Sequence, residues 1–106
     1  MSTATPLVET NRSRLEAVCR EHRVRHLYLF GSATTDRFDE NLSDLDFLVS
    51  FEHMPPGKIA DAYFGLLEDL EEIFERRVEL VTNISAQKNP YFLHSVERSK
   101  VPVYGT

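Results

Sequence analysis

Residues 45–51, Leu-Asp-Phe-Leu-Val-Ser-Phe, alternate in character with a period of two. Leu45, Phe47, Val49 and Phe51 fall on one side, and Asp44, Asp46, Leu48 and Ser50 on the other. This is the pattern of a strand whose two faces meet different surroundings. VRHLYLF at 24–30 and VELVT at 78–82 share its β-branched and aromatic bias and read as two more strands. Thr5-Pro6 is a helix start, with Thr as N-cap and Pro at the first helical position. The helix it opens runs to about residue 22, with Leu15, Val18 and Cys19 at its apolar centre. Pro55-Pro56-Gly57 punctuates the chain. Ile59, Ala62, Tyr63, Leu66, Leu70, Ile73 and Phe74 then trace the apolar stripe of a helix over 58–76. Asn89-Pro90 opens a short helix to about Ser99 that carries Phe92, Leu93 and Val96. VPVY at 101–104 makes a last edge strand, where a proline is tolerated. The order is α-β-β-α-β-α with a final strand. The expected class is α/β (α+β), a small mixed β-sheet with helices packed on it. At 106 residues the chain is expected to form one domain, 1–106, since two halves would bury too little.

Twelve Lys and Arg against 17 Asp and Glu leave a net charge of −5. That balance argues against a broad nucleic-acid or anionic-membrane surface. The single cysteine, Cys19, forms no internal disulfide, which points to a reducing compartment. The N-terminus lacks the basic-then-apolar pattern of a signal sequence, and no apolar run approaches the roughly 20 residues that span a bilayer. A cytoplasmic location is expected.

Chemistry concentrates between the first two strands. The first ends in Gly31-Ser32; eleven residues follow before Asp44, with Asp46 two positions on. Carboxylates at i and i+2 of a strand share a side, and unpaired they repel and raise each other's pKa. A divalent cation resolves the repulsion, and hard oxygen ligands completed by phosphate and water describe a Mg²⁺ site shared with a nucleotide. Glu79 is the candidate third acid, being charged between Val78 and Leu80 in an apolar strand. Gly31 lets the backbone approach a triphosphate, with exposed N–H groups and the Ser32 hydroxyl holding its oxygens. Each feature alone has an ordinary reading. A Gly-Ser pair is commonly a turn, a lone DxD a solvated strand end, and Glu79 an exposed residue on an open sheet face. The combination on three strands favours a site.

GSATTDRFDENLSDLDFLV resembles the GS…SDxDhhV signature of the polymerase-β-type nucleotidyltransferase superfamily, and the short chain resembles its minimal nucleotidyltransferases, the MNT proteins. The likeness extends over nearly the whole sequence. It implies a polymerase-β-type nucleotidyltransferase fold, with Gly31 and Ser32 on the triphosphate of ATP and Asp44 and Asp46 on Mg²⁺, in a two-metal site. Glu79 is implied as the third acid, a metal ligand or a base toward the acceptor hydroxyl. MNT proteins are commonly paired with helical HEPN proteins. The resemblance therefore implies an antitoxin that transfers AMP from ATP to a tyrosine of a HEPN RNase toxin and binds it, within a homodimer or hetero-oligomer. The chain departs from the family pattern in a Ser32–Asp44 gap one residue longer than usual and in a missing second small residue after Gly-Ser. It also carries Glu79 where Asp is common. The alternative is a nucleotide-binding module of weak or no catalysis that neutralises a partner by direct binding.

The remaining polar residues carry no motif. His22, His26, His53 and His94 are expected to be structural or surface residues. Arg37 and Lys88 are long enough to reach a triphosphate, but their position is not legible. Arg76-Arg77 is expected to complement a helix dipole, and Glu68, Asp69, Glu71, Glu72 and Glu75 to form a solvated face.

Overall fold

The computed structural model describes residues 5–30, 44–82 and 100–105. Four strands form one mixed sheet: β1 (Val24–Phe30), β2 (Leu45–Phe51), β3 (Val78–Thr82) and β4 (Val101–Tyr104). Their spatial order is β3-β2-β1-β4, with β1 antiparallel to both β2 and β4 and β2 parallel to β3. The helices are α1 (Thr5–Thr10), α2 (Arg12–Glu21) and α3 (Pro56–Phe74). The expected mixed sheet with packed helices is the observed architecture. The helix expected at 90–99 lies outside the described residues, as do Gly31, Ser32, Arg37, Lys88 and His94. Among the described residues no helix is long and apolar enough to cross a membrane.

The helix boundaries differ from expectation for local reasons. The first helix is two, because Asn11 stands between α1 and α2 with φ −107° and ψ 17°. Its side-chain Nδ2 donates to the Leu7 carbonyl at 3.0 Å, the local competition with helix bonding that Asn provides. Helix α3 starts at Pro56 rather than 58, since a proline in the first turn loses no bond that the helix would have made. It ends at Phe74 because Glu75 turns left-handed, φ 52°. Arg76-Arg77 therefore lies beyond the helix, where the Arg76 guanidinium still donates to the Phe74 carbonyl at 3.2 Å.

One sheet face is closed by α2 and α3. Leu15 and Cys19 of α2 and Leu66, Leu70 and Phe74 of α3 meet Leu27, Leu29, Leu45, Phe47, Val49 and Leu80 in one core. Burial pushes the Cys19 thiol up to about 12, so it is an inert core group. The other face carries a smaller cluster, Phe30 and Leu48 with Tyr28 and Val81 against them. Phe47 and Leu48 thus face opposite ways, as the period of two requires. At the end of β4, Gly105 holds φ 77°, and a Cβ there would stand 1.9 Å from the Arg25 carbonyl oxygen. Only glycine fits that approach.

Two hydrogen bonds tie α3 to the edge strand β3: the Tyr63 hydroxyl donates to the Leu80 carbonyl at 2.6 Å, and the Val78 N–H donates to Glu71 Oε2 at 3.2 Å. Tyr63→Phe keeps the ring and removes the donor, so it is expected to cost about 1 kcal/mol. Urea unfolding should show a lower midpoint with unchanged slope; an unchanged midpoint would mean that water replaces the hydroxyl without loss.

Candidate active site

The acids expected to act together meet at one end of the sheet. Strand β1 ends there at Phe30, and β2 and β3 begin there. In the ladder Phe30 lies opposite Asp46, and Asp46 opposite Glu79, so the three strands present these residues at one level. Asp44 precedes β2 and is exposed, Asp46 is half-buried and Glu79 is exposed. The start of β2 is pinned by the Leu45 N–H, which donates to the Arg77 carbonyl at 3.2 Å. That bond fixes the register which sets Asp46 beside Glu79. The apolar neighbours Phe30 and Leu48 wall Asp46 on the same face.

The electrostatics follow from this crowding. Burial, then the charge of Glu79, hydrogen bonding with Glu79 and the charge of Asp44 push the Asp46 carboxyl up to about 6. The site therefore holds more negative charge than it comfortably accommodates. An all-oxygen donor set of this kind suits a hard divalent cation, Mg²⁺ above all. Gly31 and Ser32 follow Phe30 directly in sequence but lie outside the described residues. Spacing alone did not reveal the pairing of Asp46 with Glu79, which depends on the parallel register of β2 and β3.

One cluster went unread in the sequence. Among the described residues, the group of three potential metal ligands whose donor atoms all lie within 4.8 Å of one another is Glu21, His22 and Asp69. His22 and Asp69 are 47 positions apart, a separation that no motif spans.

The profile of the nucleotidyltransferase domain family matches residues 12–103, a span that includes all three strand acids. The chain belongs to the nucleotidyltransferase domain family. A solved structure described as a candidate minimal nucleotidyltransferase is 31% identical over 96% of each chain, with a TM-score of 0.66. This nucleotidyltransferase also shares its fold with a toxin–antitoxin complex solved with AMP-PNP, at 23% identity, 91% and 74% coverage and a TM-score of 0.67. A third similar structure is an MNT antitoxin in complex with a tri-AMPylated HEPN toxin of Shewanella oneidensis, at 21% identity, 92% and 72% coverage and a TM-score of 0.62. At those lower identities the likeness is one of fold alone. No curated protein matches the sequence. The family inferred from GSATTDRFDENLSDLDFLV is the family that the profile match shows.

Proposed function

We propose that this nucleotidyltransferase is an antitoxin that transfers AMP from ATP to a protein hydroxyl, a tyrosine of a HEPN-type toxin. The observation that carries the reading is the placement of Asp46 opposite Glu79, with Asp44 two residues before it, at the strand end that leads into Gly31-Ser32. In the proposed reaction the acceptor oxygen attacks the α-phosphorus of ATP, the bond to pyrophosphate breaks, and the hydroxyl proton leaves to a base. Asp44 and Asp46 would hold Mg²⁺, which supplies charge neutralisation on the triphosphate and lowers the pKa of the attacking hydroxyl. Glu79 serves as a further ligand or as the base that takes the proton. Gly31 and Ser32 hold the triphosphate oxygens through backbone N–H groups and the Ser32 hydroxyl. The solved MNT antitoxin beside an AMPylated HEPN toxin supports this choice of acceptor and partner.

A second reading rests on a specific observation. The third acid, Glu79, is exposed and is one methylene longer than the Asp common in the family, whereas Mg²⁺ demands near-ideal geometry at short distance. A domain with such a site would neutralise its partner by contact, with nucleotide binding but little turnover.

The experiment incubates the protein with a HEPN-type partner, ATP labelled at the α-phosphate, and Mg²⁺. Label on the partner, lost in Asp44→Asn/Asp46→Asn, is the expected result. A stable complex that stays unlabelled in both cases would overturn transfer and leave neutralisation by contact.

A further inference from the structure

The opposite end of β1 holds a second constellation. That end, Val24, lies six residues along the strand from Phe30, or about 20 Å at roughly 3.3 Å per residue, and His22 stands just before it in the chain. His22 caps the C-terminus of α2 and reaches across to the middle of α3, where its Nε2 lies 2.6 Å from Asp69 Oδ2. Both side chains are largely sheltered, 18% and 32% exposed. Glu21, the preceding residue, adds a second carboxylate, and one donor atom from each of the three lies within 4.8 Å of the other two.

The imidazole is held in place by backbone. It sits so close to Gly65 of α3 that a Cβ there would come within 2.6 Å of His22 Cε1. A simple tie between two helices needs one carboxylate opposite the imidazole. Here a second stands beside it, and Glu21 and His22 also line an open cavity of about 490 Å³ with Met54, Lys58 and Asp61. The donors come from two helices, one nitrogen and two carboxylates, with free space on one side.

We propose that Glu21, His22 and Asp69 form a binding site for a divalent transition metal of the Zn²⁺ type, with one coordination position open toward the cavity. Donors of a tetrahedral zinc site stand about 2.0–2.2 Å from the metal and so roughly 3.3 Å from one another. The His22–Asp69 pair is already closer than that, and Glu21, being exposed, closes the remaining gap by a change of rotamer. Binding replaces the hydrogen shared by His22 and Asp69 and releases it to solvent. An imidazole ligand favours Zn²⁺, Co²⁺ or Ni²⁺ over Mg²⁺, so the site is chemically distinct from the all-carboxylate corner at the other end of the sheet. The metal clips α2 to α3 and stabilises the folded state by mass action.

The test titrates chelator-treated full-length protein with Zn²⁺ by calorimetry and with Co²⁺ by visible absorption. With millimolar Mg²⁺ present throughout to occupy the carboxylate corner, one equivalent of Zn²⁺ should bind, and saturating Zn²⁺ should raise the melting temperature by several degrees. Glu21→Gln alters only an exposed side chain, so its fold is secure, and it should weaken Zn²⁺ binding about tenfold or more. His22→Gln and Asp69→Asn should weaken it further. Gly65→Ala favours the helix yet displaces the imidazole, and should also lower affinity. Asp44→Asn/Asp46→Asn should bind Zn²⁺ like the parent. No binding up to millimolar Zn²⁺ overturns the proposal. So does binding that Glu21→Gln and His22→Gln leave intact, or that Asp44→Asn/Asp46→Asn removes.

Discussion

Asp46→Asn is expected to lower nucleotidyl transfer by about 10³-fold or more, the scale at which a lost transition-state charge contact is felt. In Mg²⁺-free buffer at pH 7 the same substitution should make the protein more stable, not less. The reason is the raised Asp46 pKa of about 6, against 3.8 for the ordinary carboxyl. A carboxyl whose folded pKa is raised takes up a proton on folding between those two values. Its protonated form stabilises the folded chain below about pH 4, and that stability is lost as pH rises through 6. Above pH 6 the ionised group costs stability, about 1–2 kcal/mol once partial solvation is allowed for. Asparagine carries no charge to repel Glu79 and Asp44, so the variant escapes that cost. Urea midpoints at pH 4, 5, 6 and 7 check this: the advantage of the variant should grow across the series and be absent at pH 4. Saturating Mg²⁺ should reverse the order at pH 7, because only the parent keeps both carboxylates for the cation. A variant less stable than the parent at every pH would show that Asp46 is under no strain from its neighbours. In the proposed site, function and stability are thus opposed at one residue, as preorganised charged sites commonly require.

How much of this was legible follows from the period of each signal. Residues 24–30, 45–51, 78–82 and 101–104 form strands at the expected boundaries, because alternation and β-branched content are local properties. Helix ends were less legible. Pro56 reads as a break but serves as a first-turn residue, and the left-handed turn at Glu75 has no glycine to announce it. The division of the first helix depends on an Asn11 side chain turning to the Leu7 carbonyl, one of several bonds open to it. At the candidate site, Asp44, Asp46 and Glu79 stood out because charge inside an apolar strand is costly. The placement of Asp46 opposite Glu79 did not, since a parallel pairing of β2 and β3 is a tertiary fact. The Glu21–His22–Asp69 cluster was invisible for the same reason, as two of its members come from different helices. Gly31 and Ser32 remain the proposed triphosphate-binding pair on the strength of the motif.

The packing beneath the acids supports the second large effect. Phe47 is wholly buried, lies between Leu29 and Leu80 in the ladder, and sets its ring 5.9 Å from that of Phe74 at 31°. It is also the residue after Asp46, facing the opposite way. Truncation to alanine removes a full aromatic from a core with no room to collapse, at an expected cost of about 3–5 kcal/mol. Against a total of about 5–15 kcal/mol for a domain, that brings the chain near its folding threshold. Phe47→Leu, closer in volume, should cost less than half as much. Denaturant unfolding gives the cost directly. Activity then separates two consequences. If Phe47 acts only through global stability, residual transfer by Phe47→Ala should track the folded fraction as temperature is lowered, with KM for ATP unchanged. If the ring also fixes the strand that presents Asp46 to Glu79, kcat per folded molecule should fall as well, while Phe47→Leu retains it. The second outcome is expected, because Asp46 is aimed by the same strand segment that Phe47 anchors, and one slipped register would turn its carboxylate into the core.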